Sequence, residues 1–368
     1  MIMKKSVWIS MIVAGACILS GLACMITGYA LGGHKSLTED DGETVGGIYH
    51  VSKDFDRIRI DVLSAHVELI PSEDEKCRVI TQDREDVEYS VSVVEDTLTV
   101  RATDTRAWYE RLFTDLGRGC YLQIALPREE YKSLDVKTVS GRVSINVRYT
   151  FSEDVTLTST SGSIGTAAAI KGHLEMHATS GDLYATGFLN TVIARSTSGK
   201  ISLGGKTVDG DCTITSADLK TTSGEIIVRK ATLHELTAKT TSGDISLDSL
   251  SVMEDIAVSA TSGDITLLYV TCGSFAAETG SGAVELIDTT TSGHVRIQTV
   301  SGSIRFTRAD ADTLNLKTTS GSVKGSLRTP KVFYTDTTSG SVDVPKSTEG
   351  GLCEIKTTSG DIRITYSE

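Results

Sequence analysis

Thr240-Thr241-Ser242-Gly243-Asp244-Ile245-Ser246-Leu247 is the stretch whose reading decides the fold. It returns as Thr261-Ser262-Gly263-Asp264-Ile265-Thr266-Leu267 and as Thr357-Thr358-Ser359-Gly360-Asp361-Ile362-Arg363-Ile364. In register, its glycine recurs at Gly141, Gly162, Gly181, Gly199, Gly224, Gly243, Gly263, Gly282, Gly302, Gly321, Gly340 and Gly360. The step is about twenty residues, and a fixed period of this size marks stacked small units rather than a globule around one central core.

Counted from each glycine, the second residue onward is always branched and apolar, as in Val143, Ile164, Leu183, Ile226, Ile245, Val284 and Ile362. The seventh residue before it is apolar, as in Leu134, Val155, Leu174, Leu236, Phe275, Leu314 and Cys353. The third before it is Thr, Ser or Ala in every copy. Alternation with period two on each side is a strand signature. Parity slips between the two sides, so a bend is needed there, and glycine accepts a positive φ without a Cβ clash. The twelve glycines are therefore expected to be structural turn residues. The expected fold is all-β: a parallel β-solenoid of about 12 coils of ~20 residues, stacked ~4.8 Å apart in chain order. The step into Gly224 is longer, which predicts a bulge or loop around Gly204–Ala217.

Before the repeats come three other regions. Ser6 through Gly33 carry no charge, Lys4 and Lys5 precede them, and Glu39, Asp40, Asp41 and Glu43 follow. A stretch this long can span a bilayer, with the basic flank inside. Residues 1–33 are thus expected to be a cytoplasmic tip and single transmembrane helix, with the C-terminal part extracellular. A cleaved signal peptide ending near Ala14-Gly15-Ala16 is the competing reading. Residues 34–47 read as a linker and 48–130 as a β-rich N-terminal cap of the solenoid at 131–368. Within the cap, Trp108, Leu112, Phe113 and Leu116 have helical spacing, which predicts a short amphipathic helix between Thr105 and Gly117.

Charge and cysteine content restrict the partners. Beyond the apolar segment there are 34 basic against 48 acidic residues, a net of −14. Such a surface disfavours nucleic acid and anionic polymers as direct partners. Cys77, Cys120, Cys212, Cys272 and Cys353 are odd in number and widely spaced, so no disulfide framework is indicated. His173 and His177 are four apart, which on a strand is ~13 Å, too far to share one metal. Glu225, Asp244 and Asp264 follow successive glycines and would stack as a carboxylate column. The column breaks at Ala283, and solvated turn residues are the expected reading rather than a cation site or a glycosidase pair. No GxSxG, HExxH or P-loop occurs. No catalysis, no metal and no cofactor are expected.

The Lys4-Lys5 anchor, Ala65-His66-Val67-Glu68-Leu69-Ile70-Pro71-Ser72, Leu126-Pro127, Val139-Ser140-Gly141 and the Thr-Ser-Gly-Asp-Ile phrases together resemble a known family. It is the bacterial membrane-anchored β-strand-repeat family of unknown function, often labelled adhesins. The resemblance implies display outside a cell membrane, chiefly in Gram-positive bacteria, and carries over no ligand or catalytic residue. The expected function is a structural or interaction module of the cell envelope, adhesin-like or envelope-sensing. A carbohydrate-binding or carbohydrate-cleaving solenoid is the alternative, for which outward Tyr184 and Tyr334 are the main aromatic candidates. Expected partners are the membrane through the N-terminal helix and an envelope protein, a glycan or a second copy, but no nucleic acid. Because the chain stops soon after Ile362, Arg363 and Ile364, that strand is the expected open edge and candidate partner site.

Overall fold

The computed structural model describes residues 44–106, 120–146, 149–207 and 210–367. Every regular element among them is a β-strand. The membrane span expected over residues 6–33, and all but the first two residues of the helix expected between Thr105 and Gly117, lie outside the described residues. Thr44–Gly47, expected within a linker, open the strand Thr44–Val51.

Apolar positions two residues after each glycine stack directly on one another. Ile201 pairs with Ile226, Ile226 with Ile245, Ile245 with Ile265, Ile265 with Val284, Val284 with Ile304 and Ile304 with Val323, all in parallel register. The positions seven before glycine form a facing column, as Leu236 on Ile256 and Ile256 on Phe275. All of these side chains are buried. Burial of a branched side chain of this size contributes about 1.5–3 kcal/mol, so the two columns carry most of the driving force along the long axis.

The glycines themselves are required for a different reason from the one expected. None of the twelve has a positive φ. Each lies against the carbonyl of a neighbouring layer: a Cβ on Gly243 would sit 1.8 Å from the Gly224 oxygen, and one on Gly302 1.7 Å from the Gly282 oxygen. The left-handed corner lies six residues later, at Lys230, Ser249, Tyr269, Asp288 and Arg308, with φ between 46° and 56°. Gly187 and Gly205 hold the same place, with φ of 118° and 127°. A residue in this conformation acts as a bulge that bends the strand without breaking its ladder. Relief of left-handed strain is worth about 1 kcal/mol. Ser249→Gly is therefore expected to raise the urea midpoint slightly and Ser249→Val to lower it. The reverse order would remove this corner.

These in-strand bends correct the fold class. Ile226–Thr240 pairs at its start with Ile201–Gly204 and along the rest of its length with Gly210–Thr221, carrying the sheet round a corner. The strands form one continuous sheet that curls about the core. The domain is all-β with a nearly closed barrel, not the open parallel solenoid expected. The ladder is also mixed. Thr44–Val51 and Tyr121–Leu126 run antiparallel to Cys77–Arg84, and Val87–Val94 antiparallel to Thr97–Asp104. The long step before Gly224, the place of the expected bulge or loop, holds left-handed Gly204 and Gly205 and a small antiparallel pairing, with Lys206 opposite Asp211 and Thr207 opposite Gly210. Periodicity reports which residues face inward, and it is silent on how a ladder closes or reverses.

Chain order is not spatial order at either end. Arg57–Asp61 lies between Thr97–Asp104 and Ser133–Thr138, and His66–Pro71 between Tyr121–Leu126 and Val143–Ile145. Arg57–Asp61 and His66–Pro71 thus form the layer that stacks on the first repeat, and the later strands Thr97–Asp104 and Tyr121–Leu126 lie outside that layer. At the other end, Leu352–Ser359 lies between Thr313–Thr318 and Val332–Ser339. Ile362–Tyr366 lies between Val323–Leu327 and Val342–Asp343. Ile362, Arg363 and Ile364 are therefore not an open edge. Their strand is paired on both sides, and Ile362 and Ile364 are buried. The outermost layer is the Gly340 repeat.

Candidate interaction surface

Where the residue three before the glycine is Thr or Ser, its hydroxyl ties the layers together. Thr240 Oγ1 accepts from the Gly243 N–H at 3.1 Å and donates to the Gly224 carbonyl at 3.2 Å. Thr221, Thr279 and Thr299 repeat both bonds. The same bonds record the inverted end: Thr357 donates to the Gly321 carbonyl, and Thr337 to that of Gly360. Only a short hydroxyl side chain satisfies a buried N–H and a buried carbonyl at once. This threonine array is internal scaffolding rather than a surface.

The carboxylate column serves the backbone too. Asp244 Oδ1 accepts from the Asp264 N–H at 2.9 Å, and Asp264 Oδ1 from the Ala283 N–H at 2.7 Å. Glu225 pairs with Lys200 at 3.0 Å. Asp361 accepts from the N–H and hydroxyl of Ser341, and these bonds hold its carboxyl below the ordinary range. His173 and His177 share no ligand: the His173 N–H donates to Asp154, while His177 Nε2 lies 2.8 Å from Glu175. Among the described residues no group of three or more His, Cys, Asp or Glu is assembled for a metal. All five described cysteines are free and buried. Burial pushes the Cys77 and Cys353 thiols up to about 12, so neither ionises at neutral pH.

Two surface features remain. One is an open groove of about 750 Å³ running across several repeats. Ser259, Glu278, Gln298, Lys317, Lys356 and Asp336 form one wall, and Thr261, Gly280, Val300, Thr319, Thr358 and Thr338 the other. No aromatic residue lines it. Tyr184 and Tyr334 are both exposed and lie on distant repeats. Tyr184 donates to Asp182, while the Tyr334 ring lies 5.6 Å from Lys356 Nζ.

The other feature is the C-terminal tip. Among the described residues, Val332–Ser339 pairs only with Leu352–Ser359, and Val342–Asp343 only with Ile362–Tyr366. Val332, Tyr334, Val342 and Leu352 are exposed there, and Phe333 is half-buried. Sequence reasoning placed the edge one repeat too late. A signal was present, because the inward place five before Gly340 is Thr335, where other repeats carry apolar residues such as Leu157, Val258, Leu316 and Ile355. A layer with water on one side tolerates such residues, and an inner layer does not.

No curated protein matches the chain. Solved structures similar to it include a candidate adhesin from Parabacteroides distasonis, 13% identical, with a TM-score of 0.40 and coverage of 86% of this chain and 98% of that one. A candidate adhesin from Parabacteroides merdae is 14% identical, with a TM-score of 0.40 and coverage of 77% and 97%. A candidate lipid-binding protein from Parabacteroides distasonis is 17% identical, with a TM-score of 0.32 and coverage of 78% and 97%. The Toastrack DUF4097 family model matches residues 55–271 and again 222–368, so both matches together span the sheet from its first interleaved strand to its last, and the chain belongs to that family.

Proposed function

We propose that this protein is a non-catalytic interaction module held outside a cell membrane by its N-terminal apolar segment. Its C-terminal tip joins a second copy by strand addition. The observation that carries this reading is the unpaired edge of Val332–Ser339. Val332 donates its N–H to Gly351, toward the paired side. By strand alternation Phe333, Thr335 and Thr337 present their N–H groups outward. The eight residues carry one charge, Asp336, and no proline, so nothing blunts the edge. Two such edges brought together antiparallel about a two-fold axis are self-complementary. The uncharged run after Lys4-Lys5 and the acidic residues beyond it support the orientation, with the barrel on the outer face of a Gram-positive envelope. The alternative, a neutral carbohydrate bound or cleaved in the groove, lacks the ring faces that such sugars stack on.

Thr335→Pro tests the tip. Proline is tolerated on an edge strand and removes one outward N–H. In light scattering of the full chain in neutral detergent, the wild type is expected to gain mass with concentration and Thr335→Pro to stay monomeric with unchanged circular dichroism. A wild type that stays monomeric throughout, or a variant that still associates, overturns the reading.

A further inference from the structure

The wall of the groove continues beyond it toward the N-terminal end, and there its character changes. Lys239 pairs in register with Ser259, the first residue of that wall. Next come Lys220 opposite Lys239, Arg195 opposite Lys220 and His177 opposite Arg195, on four adjacent strands. All four occupy the outward place four residues before their glycine. The fold does not require a base there, since Thr158, Ser259, Gln298 and Glu278 occupy the same place in other repeats. Arg195 pairs with Asp218, and His177 faces Glu175. Lys220 and Lys239 are exposed, and among the described residues neither has an ion-pair partner. Like charges directly opposite each other on neighbouring strands destabilise a sheet, so this ladder works against the fold that carries it. Beside it runs a second row, the exposed threonines Thr179, Thr197, Thr222 and Thr241.

We infer that this surface strip binds a linear acidic polysaccharide laid along the long axis, across the strands. At ~4.8 Å per strand the four bases span ~14 Å. A sugar unit in an extended polymer is about as long as one strand spacing, so one carboxylate per sugar meets one base per layer. The threonine row supplies hydroxyls for the sugar hydroxyls, which favours a saccharide over inorganic polyphosphate. Single-stranded nucleic acid would call for a stacking platform, and the residues named along the two rows include no aromatic. The chain's net charge of −12 does not forbid this. At physiological salt, carboxylates more than about 8 Å from the row are largely screened. The inference is independent of the tip, and Thr335→Pro leaves it untouched.

The test is titration of the full chain in neutral detergent with polygalacturonate at several salt concentrations. Polyphosphate and single-stranded DNA serve as comparison polymers. Lys220→Gln with Lys239→Gln is expected to weaken polygalacturonate binding about tenfold and to flatten the logarithmic salt slope by roughly 1.5. The same double variant should melt no earlier than the wild type, because it relieves a like-charge pair; a structural role for the lysines would lower the melting point. The control is Arg305→Gln with Lys324→Gln, which removes an in-register basic pair from the other side of the repeat bend. It should change affinity by less than about twofold. Equal losses in both double variants, absence of polygalacturonate binding, or equal or tighter binding of polyphosphate or DNA would each overturn the inference.

Discussion

Gly243→Ala is expected to unfold the middle of the barrel, although alanine is otherwise the mildest replacement for glycine. Its Cβ would lie 1.8 Å from the Gly224 carbonyl oxygen and 3.1 Å from the Glu225 nitrogen. Both are backbone atoms, fixed by the ladder of Ile226 on Ile245. Neither can swing aside as a side chain could, so the two layers must separate. Separation also breaks the Thr240 bonds to Gly243 and Gly224. Overpacking of a tight interior costs about 1–3 kcal/mol where side chains can adjust, and more than about 3 kcal/mol is expected where only backbone can. Gly243→Asn separates this cause from a left-handed φ. Asparagine tolerates that conformation better than alanine does, yet it carries the same Cβ. Urea unfolding of the full chain should show Asn at least as damaging as Ala, and a clearly milder Asn would restore the conformational explanation. Asp244→Ser loses one exposed side chain–backbone bond and should cost about 0.5–1.5 kcal/mol.

Removal of residues 352–368 is expected to release the tip repeat that precedes them in sequence. In an in-order stack, loss of the last repeat would uncover the Gly340 repeat and leave it seated. Here, among the described residues, Val332–Ser339 and Val342–Asp343 have no strand partners except the strands removed. Cys353, Ile355, Ile362 and Ile364 are all buried, and at about 1.5–3 kcal/mol for each large apolar side chain their loss withdraws on the order of 6–10 kcal/mol of burial. Hydrogen exchange should show amides 332–343 near the rate of an unfolded chain while 226–327 stay protected. Re-docking of 332–343 directly onto Thr313–Thr318 and Val323–Leu327 would preserve its protection and refute the inverted order. That outcome is disfavoured by Thr335, which would then cover Leu316 in place of Ile355.

The twenty-residue period and the identity of every inward column were legible in the sequence, because each depends on residues within one repeat. Ile245, Leu236 and Thr240 occupy their places whatever layer lies beside them. The site was legible only in part. The carboxylates at Asp244 and Asp264 could be read as turn residues, but their backbone N–H partners belong to the next layer. A further repeat went unseen. Ile58, Ile60, Val62, Val67 and Leu69 follow the pattern around Ala65, where alanine stands in the glycine place, and a Cβ on Gly141 would meet the Ala65 carbonyl at 1.7 Å.

Tertiary structure alone decided which layer stacks on which, how the sheet closes and where the edge lies. Repeats of one pattern offer nearly the same ladder to one another, so local preference does not discriminate among their orders. What discriminates is summed over whole layers: Ile355 and Ile362 stabilise most when covered on both sides, while Thr335 loses least when one side is wet. The basic ladder has the same origin. His177, Arg195, Lys220 and Lys239 are separated by 18 to 25 residues in sequence, and only parallel register places them on adjacent strands.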